Sequence, residues 1–264
     1  MSKISTKAEV HKNAVIGKNV EIGPFSVIDE NVKIGDNTLI GPNAHISGWT
    51  DIGKNNEIHH GAAIGDYPQD LSFKKEKSFL TIGDNNIIRE FATFHRGTKP
   101  DSRTIVGNNN MFMVYSHVGH NSIVKDSVIM VNSSSLGGYV EVDSNTFISA
   151  CAQIHQFCKI GRYVMVAPLT KVSKDVPPFM LLTGADTAVV RGLNVVALRR
   201  AEISQDDREV IKKAYKLLYH SDLNTSEAVK RIRSEPDLSS HKYIKEMLDF
   251  IQKSERGICG HYKK

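Results

Sequence analysis

The residues of this chain best suited to chemistry are a small set of histidines with a glycine between them. His117 and His120 lie three apart, His155 and Gln156 are adjacent, and Gly138 falls eighteen residues from both His120 and Gln156. An imidazole titrates near neutral pH and serves as general base or acid. A glycine N–H, with no side chain beside it, lets a developing oxyanion approach closely. Together with a polar amide, this set suits general-base attack with a stabilised oxyanion. The same residue types allow two other chemistries. His117, His120 and His155 could ligate zinc, or Cys151 or Cys158 could act as a nucleophile in covalent acyl transfer.

These side chains act together only if the fold stacks them, and the sequence carries a repeat that does so. One aliphatic or aromatic residue returns every six positions from Ile4 to Val172, broken only at Asp70, Glu76 and Pro100. No amphipathic helix has period six, and a plain strand has period two. Two residues before the aliphatic stands mostly a small or β-branched residue, as at Ser26, Val32, Thr38, Ser122 and Cys158. Each hexad therefore turns one large and one small side chain inward, as a short strand does. Cys158 falls in this inward column and reads as core. Gly and Asn recur just after the aliphatic (Gly17/Asn19, Gly35/Asn37, Gly53/Asn55), the residues that tolerate positive φ. Three hexads make a triangular coil, and coils stack at about 4.8 Å. Eighteen-residue offsets then become vertical columns. His120, Gly138 and Gln156 share one column; Asn121, Tyr139 and Phe157 share the next; Gly119, Gly137 and His155 share another. The interruptions at about 66–78 and 97–103 are polar, contain proline and lysine, and read as loops leaving the coil, where repeat proteins often build a binding face.

Periodicity stops at Val176-Pro177-Pro178. Beyond it lie helical patterns: one capped by Ser204 with Asp207 three residues on, one capped by Thr225, and one from His241 ending at Gly257. This charged region is expected to cap the open end of the solenoid or a neighbouring subunit. The chain has 264 residues, 40% hydrophobic and 24% charged, with three cysteines in no metal-type spacing, which fits a reducing compartment and the cytoplasm. No apolar run approaches the roughly 18 residues of a membrane span. Met1 to Val10 lacks the apolar stretch of a secretory leader. The net charge of +5 and pI near 9.0 suit a phosphate-bearing substrate or an acidic protein. No aromatic-interleaved basic stripe marks nucleic-acid binding.

The Gln69-Asp70-Leu71 loop, His95-Arg96-Gly97-Thr98, His117-x-x-His120, His155-Gln156-Phe157-Cys158 and Asp175-Val176-Pro177-Pro178, in this order, closely resemble the UDP-N-acetylglucosamine acyltransferases, which catalyse the first step of lipid A biosynthesis. Ala214-Tyr215-Lys216-Leu217 extends the likeness through the helical end. The resemblance implies a left-handed parallel β-helix of hexapeptide repeats over 1–186 and a C-terminal α-helical domain over 187–264. It also implies a homotrimer with active sites between neighbouring prisms. The donor would be acyl carrier protein bearing a 3-hydroxyacyl chain, the acceptor a UDP-sugar, with no metal or cofactor. His120 would be the general base and Gly138 the oxyanion-hole donor. Gln69, Asp70, His117, Tyr139, His155 and Gln156 match positions around the sugar nucleotide. Asn194 and Arg200 match contacts reaching in from the next subunit, and Pro168 and Lys171 match positions that measure the acyl chain.

The chain also departs from the family pattern. Tyr139 stands where many members have histidine, Asn121 where aspartate is usual, and Ser72 where a lysine is expected, with Lys74 or Lys75 near enough to substitute. These departures leave the acceptor open between the 3-hydroxyl and a 3-amino group. Pro168 and Lys171 are larger than the glycines of long-chain members and point to a medium chain. Two other hexapeptide readings stay in view. An N-acyltransferase acting on the 3-acylated sugar would be expected to carry a uridine-binding domain before the hexads, and a carbonic-anhydrase-like protein would use the histidines for zinc.

Overall fold

A two-residue strand buries too little surface to fold alone, so each hexad is stable only when stacked on the next. The computed structural model describes residues 2–261 and shows this stacking throughout the repeat region. Short strands form three parallel faces of eleven, nine and eight strands, with strand order advancing by threes along the chain. The result is a left-handed parallel β-helix, an exception to the usual right-handed crossover. The first face ends in an antiparallel hairpin, Met180–Thr183 with Val189–Leu193, which the hexad pattern does not foretell.

The aliphatic ladder is the core. Ile28, Ile46, Ile64, Ile88, Val118, Leu136, Ile148 and Val172 are all buried, each contributing roughly 1.5–3 kcal/mol. Ile4 lies on the first coil among the described residues and is 43% exposed. The small inward column includes hydroxyls because each can bond a backbone carbonyl fifteen residues on. Ser26 donates to Gly41 O (2.7 Å), Thr38 to Gly53 O (3.0 Å) and Ser122 to Gly137 O (3.1 Å). Cys158 is buried, as its column requires.

The corners take positive φ at Asn19 (55°), Asn37 (59°) and Asn55 (55°), as their residue types predict. Phe25, Phe91, Tyr115, Tyr139 and Phe157 hold the same left-handed conformation, φ 57–65°. Residue type alone does not mark them, because their side chains stack on neighbouring coils instead of bonding locally.

Both interruptions leave the prism and return to it in phase. Across the first loop Glu57 pairs with Ile87, an offset of 30, and across the second Ile87 pairs with Met111, an offset of 24. The excess over an eighteen-residue coil is twelve residues and then six. The hexad phase therefore survives in the sequence, missing two beats (Asp70, Glu76) and then one (Pro100).

Among the described residues five helices follow: α1 (Val195–Arg200), α2 (Gln205–Tyr219), α3 (Thr225–Ser234), α4 (Pro236–Ser239) and α5 (Lys242–Gln252). Ser204 caps α2 as expected, accepting from Asp207 N at 3.1 Å, while the Asp207 carboxylate turns to His241 at 2.9 Å. The cap of α3 is Asn224, not Thr225: it forms a reciprocal box with Glu227, because its side chain reaches the third-residue N–H. The last helix stops at Gln252, five residues before the expected Gly257. Helices α1 and α4 are too short to show a period. The helical region packs on its own prism. Arg162 makes a bidentate pair with Glu246 (2.9 and 2.5 Å), Ser254 bonds Asp175 at 2.7 Å, and Cys259 N donates to Asp175 O at 2.8 Å.

Candidate active site

His120 sits on the corner that follows the second-face strand His117–Val118. The coils stack there as the eighteen-residue offsets require. Tyr139 N donates to His120 O at 2.9 Å, and Phe157 N to Gly138 O at 3.0 Å. On the strand itself His117 pairs with Ser135, Ser135 with Gln153, and Gln153 with Lys171. Gly119, Gly137 and Gly138 keep this corner flat. A Cβ at Gly137 would strike the Gln156 backbone, and one at Gly138 would collide with the His120 imidazole. The His120 ring thus lies directly against Gly138. The Gly138 N–H donates to no acceptor among the described residues.

A cleft of about 460 Å³ opens over this column, bringing together Gln69, His117, His120, Gly138, His155, Gln156 and Lys171. It also includes His95, which sequence reasoning missed as a site residue although it belongs to the His95-Arg96-Gly97-Thr98 motif. Burial, reinforced by His117, pushes the His95 imidazole down to about 4. Burial and the neighbouring His120 likewise lower His117. Near neutral pH both are uncharged, so they surround His120 without repelling a proton from it.

Asp70 comes from the first loop. Its Oδ1 accepts from Ser72 N and Ser72 Oγ, each at 2.8 Å, and these bonds hold the carboxyl below its ordinary value. Its Oδ2 stands 4.0 Å from His120 Nε2, too far for a hydrogen bond but close enough for Coulomb attraction to an imidazolium. Arg96 holds the loop in place. Its buried guanidinium lies 4.6 Å from the Tyr67 ring and 5.7 Å from Phe73, and donates to Gly65 O at 3.1 Å. Ser72 therefore serves the loop turn.

Asn121 occupies the position beside His120. His120 Nδ1 lies 3.1 Å from Asn121 Oδ1, so a carboxamide supplies the ring's partner. Tyr139 packs edge-on against His120 at 5.4 Å and stacks on Phe157 at 5.0 Å. His155 Nδ1 meets Gln156 O at 3.1 Å. Among the described residues no three His, Cys, Asp or Glu side chains are arranged to hold a metal ion.

Asn194 and Arg200 are not brought to this cleft. They line a second depression of about 510 Å³ over the first face, with Phe147, Met165 and α1, where Asn194 caps α1 by accepting from Ala197 N at 3.2 Å. Within one chain the two groups lie on different faces. Pro168 and Leu169 form an exposed corner just before Lys171, with Leu169 at φ 59°. Cys151 is exposed on the same column of corners.

A β-helix of hexads carrying a histidine over a bare glycine defines a hexapeptide transferase, and residues 31–66 match the family described as bacterial transferase hexapeptide (six repeats). Residues 175–259 match the family described as UDP N-acetylglucosamine O-acyltransferase, domain 2. The acyl-[acyl-carrier-protein]–UDP-N-acetylglucosamine O-acyltransferase of Aliarcobacter butzleri is 45% identical over 98% of both chains. That of Thiobacillus denitrificans is 44% identical over 98% of this chain and 99% of its own. Among solved structures, the UDP-N-acetylglucosamine acyltransferase of Francisella novicida superposes with a TM-score of 0.94 at 38% identity, covering 97% of this chain and 94% of that one. The Bacteroides fragilis enzyme gives 0.92 at 45%, covering 96% and 98%. The chain belongs to the UDP-N-acetylglucosamine acyltransferase family and is an acyltransferase.

Proposed function

We propose that this protein transfers an (R)-3-hydroxyacyl chain from acyl carrier protein to the glucosamine 3-position of UDP-GlcNAc or its 3-amino analogue, the first step of lipid A biosynthesis. The observation that carries this reading is the His120 imidazole lying on Gly138, whose N–H has no acceptor among the described residues. His120 Nε2 takes the proton from the acceptor atom as that atom attacks the thioester carbonyl. The Gly138 N–H receives the oxyanion. His120 then protonates the departing thiol, so no acyl-enzyme forms and no cofactor is needed. Asp70, held anionic by Ser72, stabilises the transient imidazolium across the cleft.

Gln69, His117, Tyr139, His155 and Gln156 surround the sugar nucleotide in this reading. Asn194 and Arg200 reach it from a neighbouring subunit of a homotrimer, which accounts for their place on another face of the chain. Residues 1–186 act as the prism, and 187–264 as its helical cap after contributing the strand Val189–Leu193 that ends the first face. The net charge of +5 favours encounter with an acidic carrier protein. The reaction is placed in the cytoplasm, where the three unpaired cysteines are at home.

Asn121 favours the amino acceptor as a second reading. A neutral amide stabilises an imidazolium less than a carboxylate would, and an amine nucleophile makes a weaker demand on the base. Pro168 and Lys171 limit the acyl chain to about C10–C12, each buried CH₂ being worth ~0.8 kcal/mol. Mass spectrometry of products from UDP-GlcNAc, its 3-amino analogue and the 3-acylated sugar, offered together with a ladder of 3-hydroxyacyl carrier proteins, tests the reaction, the acceptor and the chain length. A 3-acylated UDP-sugar is expected. Acylation only of a sugar already bearing a 3-acyl chain would overturn the reading, and equal use of a C14 donor would overturn the chain-length limit.

A further inference from the structure

The second loop does more than leave the prism. Thr98 reaches down from it to the corner beside His120. Its backbone N–H donates to Asn121 Oδ1 at 3.0 Å, and its hydroxyl lies 3.1 Å from the same atom. The Asn121 backbone is fixed independently, its N–H donating to Thr104 Oγ1 at 2.7 Å. Tyr139 completes the group with its hydroxyl 3.2 Å from Thr98 Oγ1.

A backbone N–H can only donate. The atom of the Asn121 carboxamide that faces Thr98 N must therefore be the oxygen, because the NH₂ has no lone pair to offer there. That one constraint orders the other protons. An amide oxygen only accepts, so the Thr98 hydroxyl donates to it and the Tyr139 hydroxyl donates to Thr98. His120 Nδ1, 3.1 Å from the same oxygen, must carry the ring proton. The lone pair is left on Nε2, the nitrogen turned toward Asp70. If the carboxamide were turned over, its NH₂ would donate to Nδ1 and drive the proton to Nε2, disabling the base.

We infer that Thr98 and Asn121 are positioning residues that fix the tautomer of His120. The loop's main-chain N–H prevents the amide from flipping, a failure to which a carboxylate at position 121 would not be subject. This inference rests on His120 acting as the base, but its structural half is readable without substrate.

The test joins a spectrum to a rescue. In protein labelled with ¹⁵N-histidine, long-range ¹H–¹⁵N correlation at a pH where His120 is neutral should show a protonated Nδ1 and an unprotonated Nε2, assigned by loss of the signals in His120→Gln. Thr98→Pro removes both donors of this contact, the N–H and the hydroxyl. It should shift the tautomer toward Nε2–H and lower kcat by about 10²–10³, with KM for the UDP-sugar and carrier protein within about two-fold, since a wrong histidine tautomer disables a base. In Thr98→Pro with Asn121→Asp, the carboxylate has only acceptors, so the Nδ1–H signature and most of kcat should return. A wild-type spectrum with Nε2–H would overturn the inference. So would a double variant that melts like wild type yet is as slow as Thr98→Pro alone; where the proline disrupts the loop, the wild-type spectrum alone decides. Correct tautomer signatures in a protein that acylates no UDP-sugar would instead sink the proposed function and leave the clamp standing.

Discussion

Two columns of corners run along this prism with the same backbone and different work. At Asn19, Asn37, Asn55 and Asn85 each amide donates to the next at 3.1–3.2 Å, a ladder that serves the fold alone. At Asn121, Tyr139 and Phe157 the φ values are 59°, 60° and 65°, indistinguishable from the ladder. Here the Asn121 amide leaves the stack for His120 and Thr98, and two aromatics fill the coils after it. Within the stacks both columns satisfy the left-handed backbone in the same way, by an N–H to the coil before (Asn37 to Lys18 O at 2.8 Å, Tyr139 to His120 O at 2.9 Å), while Asn121 donates to Thr104 Oγ1 at 2.7 Å. The main chain closes the turn, so the side chain there is free for another task. A solenoid can therefore place a site at any corner without altering its coil.

The comparison can be broken most sharply at the site column. His120→Ala should lower kcat/KM by about 10²–10⁴ with no change in melting temperature, measured by steady-state transfer and thermal denaturation. Gly138→Ala should cost about 10²–10³ in kcat, because its Cβ displaces the imidazole while the N–H remains. Turnover within a few-fold of wild type would show that the contact is incidental.

Stability probes the fold around the site. His95 takes a proton near its ordinary value when unfolded but only at about 4 when folded. The unfolded state therefore binds more protons between about pH 6.5 and 4, so stability falls as pH drops through that window and levels off below it. The loss is at most on the order of 3 kcal/mol, and His95→Gln should flatten the dependence. The smallest effect belongs to the ladder. Asn37→Val places a β-branched residue at φ 59° and removes two amide bonds, costing about 1–2 kcal/mol in denaturant melts and nothing in kcat.

The repeat was legible because its cause is local: one inward residue per six, and loops whose lengths keep that phase. The columns were legible for the same reason, and they place His120, Gly138 and Gln156 in one cleft. His95 and Thr98 were not, although their motif was visible, since their roles depend on how far each loop returns to the prism. The terminal hairpin and α1 lie past the last hexad, where tertiary packing decides, and Asn224 displaced Thr225 as a cap by one residue. The Asn121 substitution stood out in the sequence as a missing carboxylate; only the geometry shows an oxygen in its place.

A structure of the protein with its 3-acylated UDP-sugar product bound would test the central claim most directly. The account predicts the acyl carbonyl oxygen turned toward Gly138 N and the sugar's 3-substituent atom about 2.6–3.2 Å from His120 Nε2. A product bound with its acylated atom remote from that nitrogen would contradict it.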